Sequence, residues 1–127
     1  MELATEPIRV LHVDDDSDFV ELAATFLERE DDRFDVETET DTAAARASLT
    51  SRRFDCVVSD YDMPGQTGIE FLDDVRDEYA DLPFVLFTGK GSEEVASDAI
   101  SAGVTDYLQK EHGTEQYQLL AKRIADA

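Results

Sequence analysis

Three carboxylates, one hydroxyl and one ammonium carry the chemistry open to this 127-residue sequence. Asp14 and Asp15 follow the apolar run Ile8 to Val13, and Asp60 follows Cys56-Val57-Val58-Ser59. Thr88 closes a run from Leu82 to Phe87, and Lys110 stands just beyond Val104 to Leu108. Each lies where a strand-like segment stops. Were they to converge, two carboxylates about 4 Å apart would repel by roughly 4 kcal/mol at an effective dielectric of about 20. One ammonium does not balance three of them. A hard divalent cation such as Mg²⁺, which takes oxygen ligands and keeps some waters, meets that need. Such an ion also neutralises a phosphoryl group, whose oxygens Thr88 and Lys110 can reach. An Asp carboxylate attacking phosphorus gives an aspartyl phosphate, in a reaction that depends mainly on positioning and charge neutralisation. Taken alone, Asp60 also suits a surface turn.

The segments between these residues decide whether they meet. Ile8 to Val13 reads as a strand, and Ser17 or Asp18 can cap a helix whose Phe19, Leu22, Ala23, Phe26 and Leu27 form an apolar stripe. Phe34, Val36 and Thr38 alternate with acidic residues, the period of a half-exposed strand, and an alanine-rich helix spans about Asp41 to Ser51. Cys56 to Val58 is a strand buried on both faces. Pro64, Gly65 and Gly68 mark a loop, after which Phe71, Leu72, Val75 and Tyr79 recur at helical spacing. Leu82 to Phe87 is a fourth strand, and Ser92 can cap a helix that begins with Glu93 and Glu94 and stops at Gly103. Val104 to Leu108 is a fifth strand, and Tyr117, Leu120, Ala121 and Ile124 mark one face of a last helix. Alternation of five strands with five helices predicts an α/β domain with a parallel sheet covered on both faces. In such a sheet the residues that follow each strand share one rim, where ligands bind. The second strand brings no comparable residue, as an edge strand would not.

Composition removes several function classes. The chain carries 31 acidic and 11 basic residues, net −20, which repels nucleic-acid phosphates and anionic membranes alike. The 42% apolar content and clear periodicity argue against a disordered acidic tail and for a folded domain working in high salt, as in extreme halophiles. The lone Cys56 reads as a small buried hydrophobe, so no disulfide framework exists and a reducing cytoplasm suits the chain. The N-terminus is acidic and gives no signal-peptide pattern, and the apolar runs are too short to cross a bilayer. Residues 1–7 read as a flexible leader and 8–127 as the domain. The last helix has no terminator, which suggests that the natural protein continues.

Val13-Asp14-Asp15, Ser59-Asp60-Tyr61-Asp62-Met63-Pro64-Gly65, Phe87-Thr88-Gly89 and Tyr107-Leu108-Gln109-Lys110 resemble the signature segments of response-regulator receiver domains. The resemblance implies a doubly wound, flavodoxin-like (βα)5 fold with strand order 2-1-3-4-5, the order known for this family. It implies that Asp60 takes phosphate from a histidine kinase or phosphotransfer protein, and that a downstream output domain or protein reads the result. Asp15, Asp60 and the main-chain carbonyl of Asp62 would ligate Mg²⁺, with Asp14 acting through water. Thr88 and Lys110 would bind the phosphoryl group, and Tyr107 would change rotamer with Thr88. By spacing, Asp62 two residues after Asp60 and Lys90 two after Thr88 are expected to flank the phosphoryl group and tune its lifetime, the alternative being that both side chains point into solvent. Such a domain assists its own phosphotransfer and dephosphorylation and is not otherwise an enzyme. One departure stands out: receivers usually follow the lysine with proline, and Glu111 stands there, so the Lys110-Glu111 bond is expected to be trans.

Other readings of the same residues are weaker in context. Asp60-Tyr61-Asp62 also matches the DxD of haloacid-dehalogenase-like phosphatases, but it follows the third strand, not the first, and Pro64 takes the position of a threonine. A phosphorylation-independent interaction module has no residue in its favour. His12 reads as a core or subsurface histidine, since an imidazole suits Mg²⁺ poorly, and His112 as solvated. The Tyr117/Leu120/Ile124 stripe is first a core face. The charge balance itself has a measurable consequence: the thermal midpoint is expected to rise as KCl goes from dilute to molar, because added salt screens the self-repulsion of a net −20 domain. A midpoint that ignores KCl would rule out that origin of the acidity.

Overall fold

The computed structural model describes residues 6–89 and 93–127. In chain order the elements are β1 (Ile8–Val13), α1 (Ser17–Glu30), β2 (Phe34–Glu39), α2 (Thr42–Ser51), β3 (Cys56–Ser59), α3 (Gly68–Glu78), β4 (Phe84–Thr88), α4 (Glu93–Ser101), β5 (Asp106–Gln109) and α5 (Glu115–Asp126). All strand pairs are parallel, and the sheet runs β2-β1-β3-β4-β5. This is the doubly wound order that the family resemblance implies, with β2 at an edge as its lack of a rim residue suggests. Two strands lie further along the chain than their apolar runs suggest. β4 begins at Phe84, after Pro83, and β5 begins at Asp106, after the turn at Gly103 (φ +90°) that ends α4.

Successive residues of the central strands enter opposite layers, which is why these strands read as unbroken apolar runs. Leu11, Val13, Val57 and Leu86 pack on Ala45, Leu49, Phe71, Leu72 and Ala99 of α2, α3 and α4. Val10, Val58, Val85, Phe87 and Leu108 pack on Leu27, Leu120, Ala121 and Ile124 of α1 and α5. Each fully buried aliphatic or aromatic side chain contributes roughly 1.5–3 kcal/mol. Cys56 is buried in the second layer, which pushes its thiol up to about 12 and keeps it inert. Among the described residues, no helix is long and apolar enough to cross a membrane.

The helix starts are set by side-chain caps. Asp16, not Ser17 or Asp18, caps α1: its Oδ1 accepts the Phe19 N–H at 3.1 Å. Asp41 caps α2 in the same way, and Thr67 and Glu70 form a capping box at α3. Leu22 of the expected α1 stripe is half exposed, while Val20, Ala23 and Leu27 face the core. The expected Ser92 cap lies outside the described residues. The Lys110-Glu111 bond is trans, as no described peptide is cis. The Glu111 N–H, which a proline would lack, donates to Gln116 Oε1 at 3.0 Å and ties the loop to α5.

His12 is the least comfortable residue of the core. It is fully buried, and neither ring nitrogen has a hydrogen-bond partner. Burial, with the nearby Lys110 charge, pushes it down to about 3. It therefore binds no proton in the folded state at pH 5, whereas the unfolded chain does so below about 6.5. Stability from this source is present above that value and is lost as pH falls toward 3. His12→Leu is accordingly expected to gain on the parent by about 2 kcal/mol between pH 7 and pH 5. Urea unfolding at both values reads the difference, and an offset independent of pH would contradict the assignment.

Candidate functional site

The rim at the carboxyl ends of β1, β3 and β5 is built by main-chain pairing. The Asp60 N–H donates to Val13 O at 2.9 Å, the Asp14 N–H to Glu39 O at 3.1 Å, and the Lys110 N–H to Thr88 O at 2.9 Å. These bonds continue the sheet ladder by one step, so the side chains project from rigid backbone. Asp14, Asp15 and Asp60 each bring a carboxylate oxygen within 4.8 Å of the others. Asp14 and Asp60 are 1% and 7% exposed, whereas Asp15 faces solvent.

Lys110 bridges the two buried carboxylates. Its Nζ lies 2.6 Å from Asp14 Oδ2 and 3.4 Å from Asp60 Oδ2. The remaining oxygens are held by the backbone: Asp14 Oδ1 accepts the Asp16 N–H at 3.0 Å, and Asp60 Oδ1 accepts the Tyr61 N–H at 2.8 Å. Burial raises the Asp14 carboxyl above the usual carboxylate range, against the pull of Lys110 and of the Asp16 N–H. Two buried acids, an exposed third and a single ammonium make an electron-rich set of oxygen donors. That donor set fits a hard divalent cation, which the charge balance calls for.

The other expected residues fall into place unequally. Thr88 is the fully buried last residue of β4. Asp62 is exposed and, with Pro64, lines the open depression above Asp14, Asp60 and Lys110. Tyr107 lies half-buried in the layer beside α4, its hydroxyl buried without a hydrogen-bond partner. Lys90 lies outside the described residues. His112 is exposed, as expected.

Two contributors were not legible as site residues. Gly68 opens α3 directly beneath the loop, its N–H donating to Tyr61 O at 2.7 Å. Phe19 lies under the Lys110 ammonium, 4.3 Å from Nζ to the ring centroid. Their signals in the sequence were a loop glycine and one member of an apolar stripe, neither of which points to a rim.

The family model for the response regulator receiver domain matches residues 10–122. This chain is a response regulator receiver domain. It is 32% identical over 119 residues to the probable transcriptional regulatory protein TcrX of Mycobacterium tuberculosis, covering 94% of this chain and 50% of that protein. It is 30% identical over 119 residues to the nitrogen assimilation regulatory protein NtrX of Azorhizobium caulinodans, covering 92% of this chain and 26% of that one. The domain thus spans between a quarter and a half of these two relatives. Among solved structures, the chemotaxis response regulator CheY4 of Vibrio cholerae superposes with a TM-score of 0.83 at 30% identity, covering 93% of this chain and 98% of that one. Receiver domains belong to two-component signalling, and the phosphatase reading is not favoured.

Gly68 allows a sharp test of how the rim is held. A Cβ there would lie 2.1 Å from the Asp60 carbonyl oxygen and 3.0 Å from Leu86 Cδ1. Alanine in a helix normally stabilises by up to about 1 kcal/mol over glycine. Here Gly68→Ala is expected to destabilise by about 3 kcal/mol or more, since backbone must move. Urea unfolding that shows a stabilised variant would show that the loop is not clamped as described.

Proposed function

We propose that this receiver domain takes a phosphoryl group onto Asp60 in a Mg²⁺-dependent reaction, supplied by a histidine kinase or phosphotransfer protein. The observation that carries the reading is the convergence of Asp14, Asp15 and Asp60 within 4.8 Å, with Lys110 Nζ reaching both buried carboxylates. With Asp60 Oδ1 engaged by the Tyr61 N–H and Oδ2 held only loosely by Lys110 at 3.4 Å, Oδ2 is the oxygen that attacks. It forms the new P–O bond in line as the bond from phosphorus to the donor's imidazole nitrogen breaks, and the imidazole leaves with its electron pair. Asp15, Asp60 and the Asp62 carbonyl, with Asp14 through water, would hold Mg²⁺, which when bound would supply neutralising charge to the phosphoryl oxygens. Lys110 shifts its ammonium from carboxylate to phosphoryl oxygen, and the Thr88 hydroxyl donates to another. Main-chain and side-chain donors already in place limit the reorganisation required.

In this reading the transfer changes what Thr88 meets, and Tyr107 answers by rotamer, so that a downstream output domain or protein meets a different surface. The domain assists its own phosphotransfer and the later hydrolysis, and turns over no other substrate. Asp62, exposed at the rim, and Lys90 tune the hydrolysis. The net −20 charge supports work in the high-salt cytoplasm of a halophile and gives no surface for direct contact with nucleic acid or membrane.

The test is incubation with a small acyl-phosphate donor and Mg²⁺, read by intact mass. One acid-stable, base-labile phosphoryl group is expected on the parent and none on Asp60→Asn. Calorimetry is expected to show Mg²⁺ affinity largely lost in Asp15→Asn and kept in Asp16→Asn, whose amide still caps α1. Full phosphate uptake by Asp60→Asn would sink the assignment, and the reverse ranking of the two asparagine variants would sink the ligand set.

A further inference from the structure

The aromatic ring beneath Lys110 is unusually well fixed. The Asp16 cap pins the first turn of α1 by accepting the Phe19 N–H at 3.1 Å. His12 meets the Phe19 ring nearly perpendicular, at 75° and 5.9 Å between centroids. Phe87, next to Thr88 in β4, lies at 6.0 Å and Tyr117 of α5 at 6.4 Å. Tyr117 is itself stacked on Phe26 at 4.9 Å with the planes 3° apart. The ring therefore cannot turn away from Lys110 without moving β1, β4 and α5 neighbours.

A ring in this position does something that an aliphatic side chain cannot. Its face carries negative potential, and the attraction to an ammionium strengthens where water is sparse, as beside the buried Asp14 and Asp60. The Lys110 side chain is 21% exposed, and its Nζ has carboxylates on one side and the ring on another. The unequal distances, 2.6 Å to Asp14 and 3.4 Å to Asp60, leave Asp60 Oδ2 the more loosely held of the two. We propose that Phe19 is a positioning residue for Lys110, its ring face holding the ammonium between Asp14 and Asp60 and ready for a phosphoryl oxygen on Asp60. The proposal rests on the phosphoacceptor reading for its kinetic part and on geometry alone for the rest.

Two measurements test it on the full domain. Site-specific replacement of Phe19 by 4-fluoro-, 3,5-difluoro- and pentafluorophenylalanine keeps an aromatic ring while weakening its negative face stepwise. The rate of phosphate uptake from a small acyl-phosphate donor at saturating Mg²⁺ is expected to fall stepwise, by about tenfold across the series, with the fold kept by circular dichroism. Independently, ring current is expected to shift the Lys110 ε-methylene protons upfield of those of Lys122 in the free protein, and Phe19→Leu is expected to abolish the shift. Equal rates across the series in a protein that takes up phosphate would reduce Phe19 to packing and overturn the proposal. An unshifted Lys110 signal would overturn its geometry. A parent protein that takes up no phosphate would instead overturn the phosphoacceptor reading and the kinetic part with it, while the ring-current shift still decides whether ring and ammonium are paired.

Discussion

Lys110 Nζ sits between Asp14 Oδ2 at 2.6 Å and Asp60 Oδ2 at 3.4 Å, and this bridge holds together a rim that would otherwise push itself apart. Two carboxylates almost removed from water cannot both ionise cheaply, and the ammonium offsets part of that cost. Burial still wins at Asp14, whose carboxyl is raised despite its 2.6 Å partner. The site is thus held in a state of unmet negative charge. On the proposed phosphoacceptor reading, a cation and a phosphoryl group together would relieve it better than either alone, because the phosphoryl group would draw away the ammonium and the cation would take its place beside the carboxylates.

Such a bridge demands strand ends held in fixed register, which the parallel sheet supplies. The bonds from the Asp60 N–H to Val13 O and from the Lys110 N–H to Thr88 O tie β1 to β3 and β4 to β5 one residue past their regular ladders. The approach of Gly68 beneath the Asp60 carbonyl then clamps the β3–α3 loop from below. The same rigidity strands His12 among apolar neighbours, since mid-strand side chains cannot swing toward water. A buried imidazole with two unpartnered nitrogens costs on the order of 1–3 kcal/mol.

The architecture was legible because its two periodicities differ. Strands buried on both faces show as short apolar runs, and amphipathic helices as spaced apolar residues, so the ten elements and the five rim residues could be read in order. Strand limits were less legible: Val104 and Leu82 are as apolar as true strand residues but lie in turns packed on the core. The cap of α1 was less legible, since Asp16, Ser17 and Asp18 are all favoured N-cap residue types and lie side by side. Phe19 was legible only as packing, for a helical stripe says which face is buried but not which charged group from another strand lands on it.

That a lysine stands at 110 follows from the same geometry. The chain uses arginine for eight of its eleven basic residues, and the pairs it forms away from the rim are mostly arginine to carboxylate, such as Arg33 with Asp31 at 2.6 Å and Arg123 with Asp106 at 2.6 Å. A guanidinium is a planar fork that matches one carboxylate at a time, whereas an ammonium is compact and directs three donors around one point. Between two carboxylates and a ring face, the point charge reaches all three and the fork does not. On the proposed phosphoacceptor reading it could also move from carboxylate to phosphoryl oxygen by turning its last bonds, without breaking a bidentate pair. The residue type at 110 thus suits the sharing of one positive charge between two carboxylates and a ring face, whereas Arg33 and Arg123 each hold a single carboxylate.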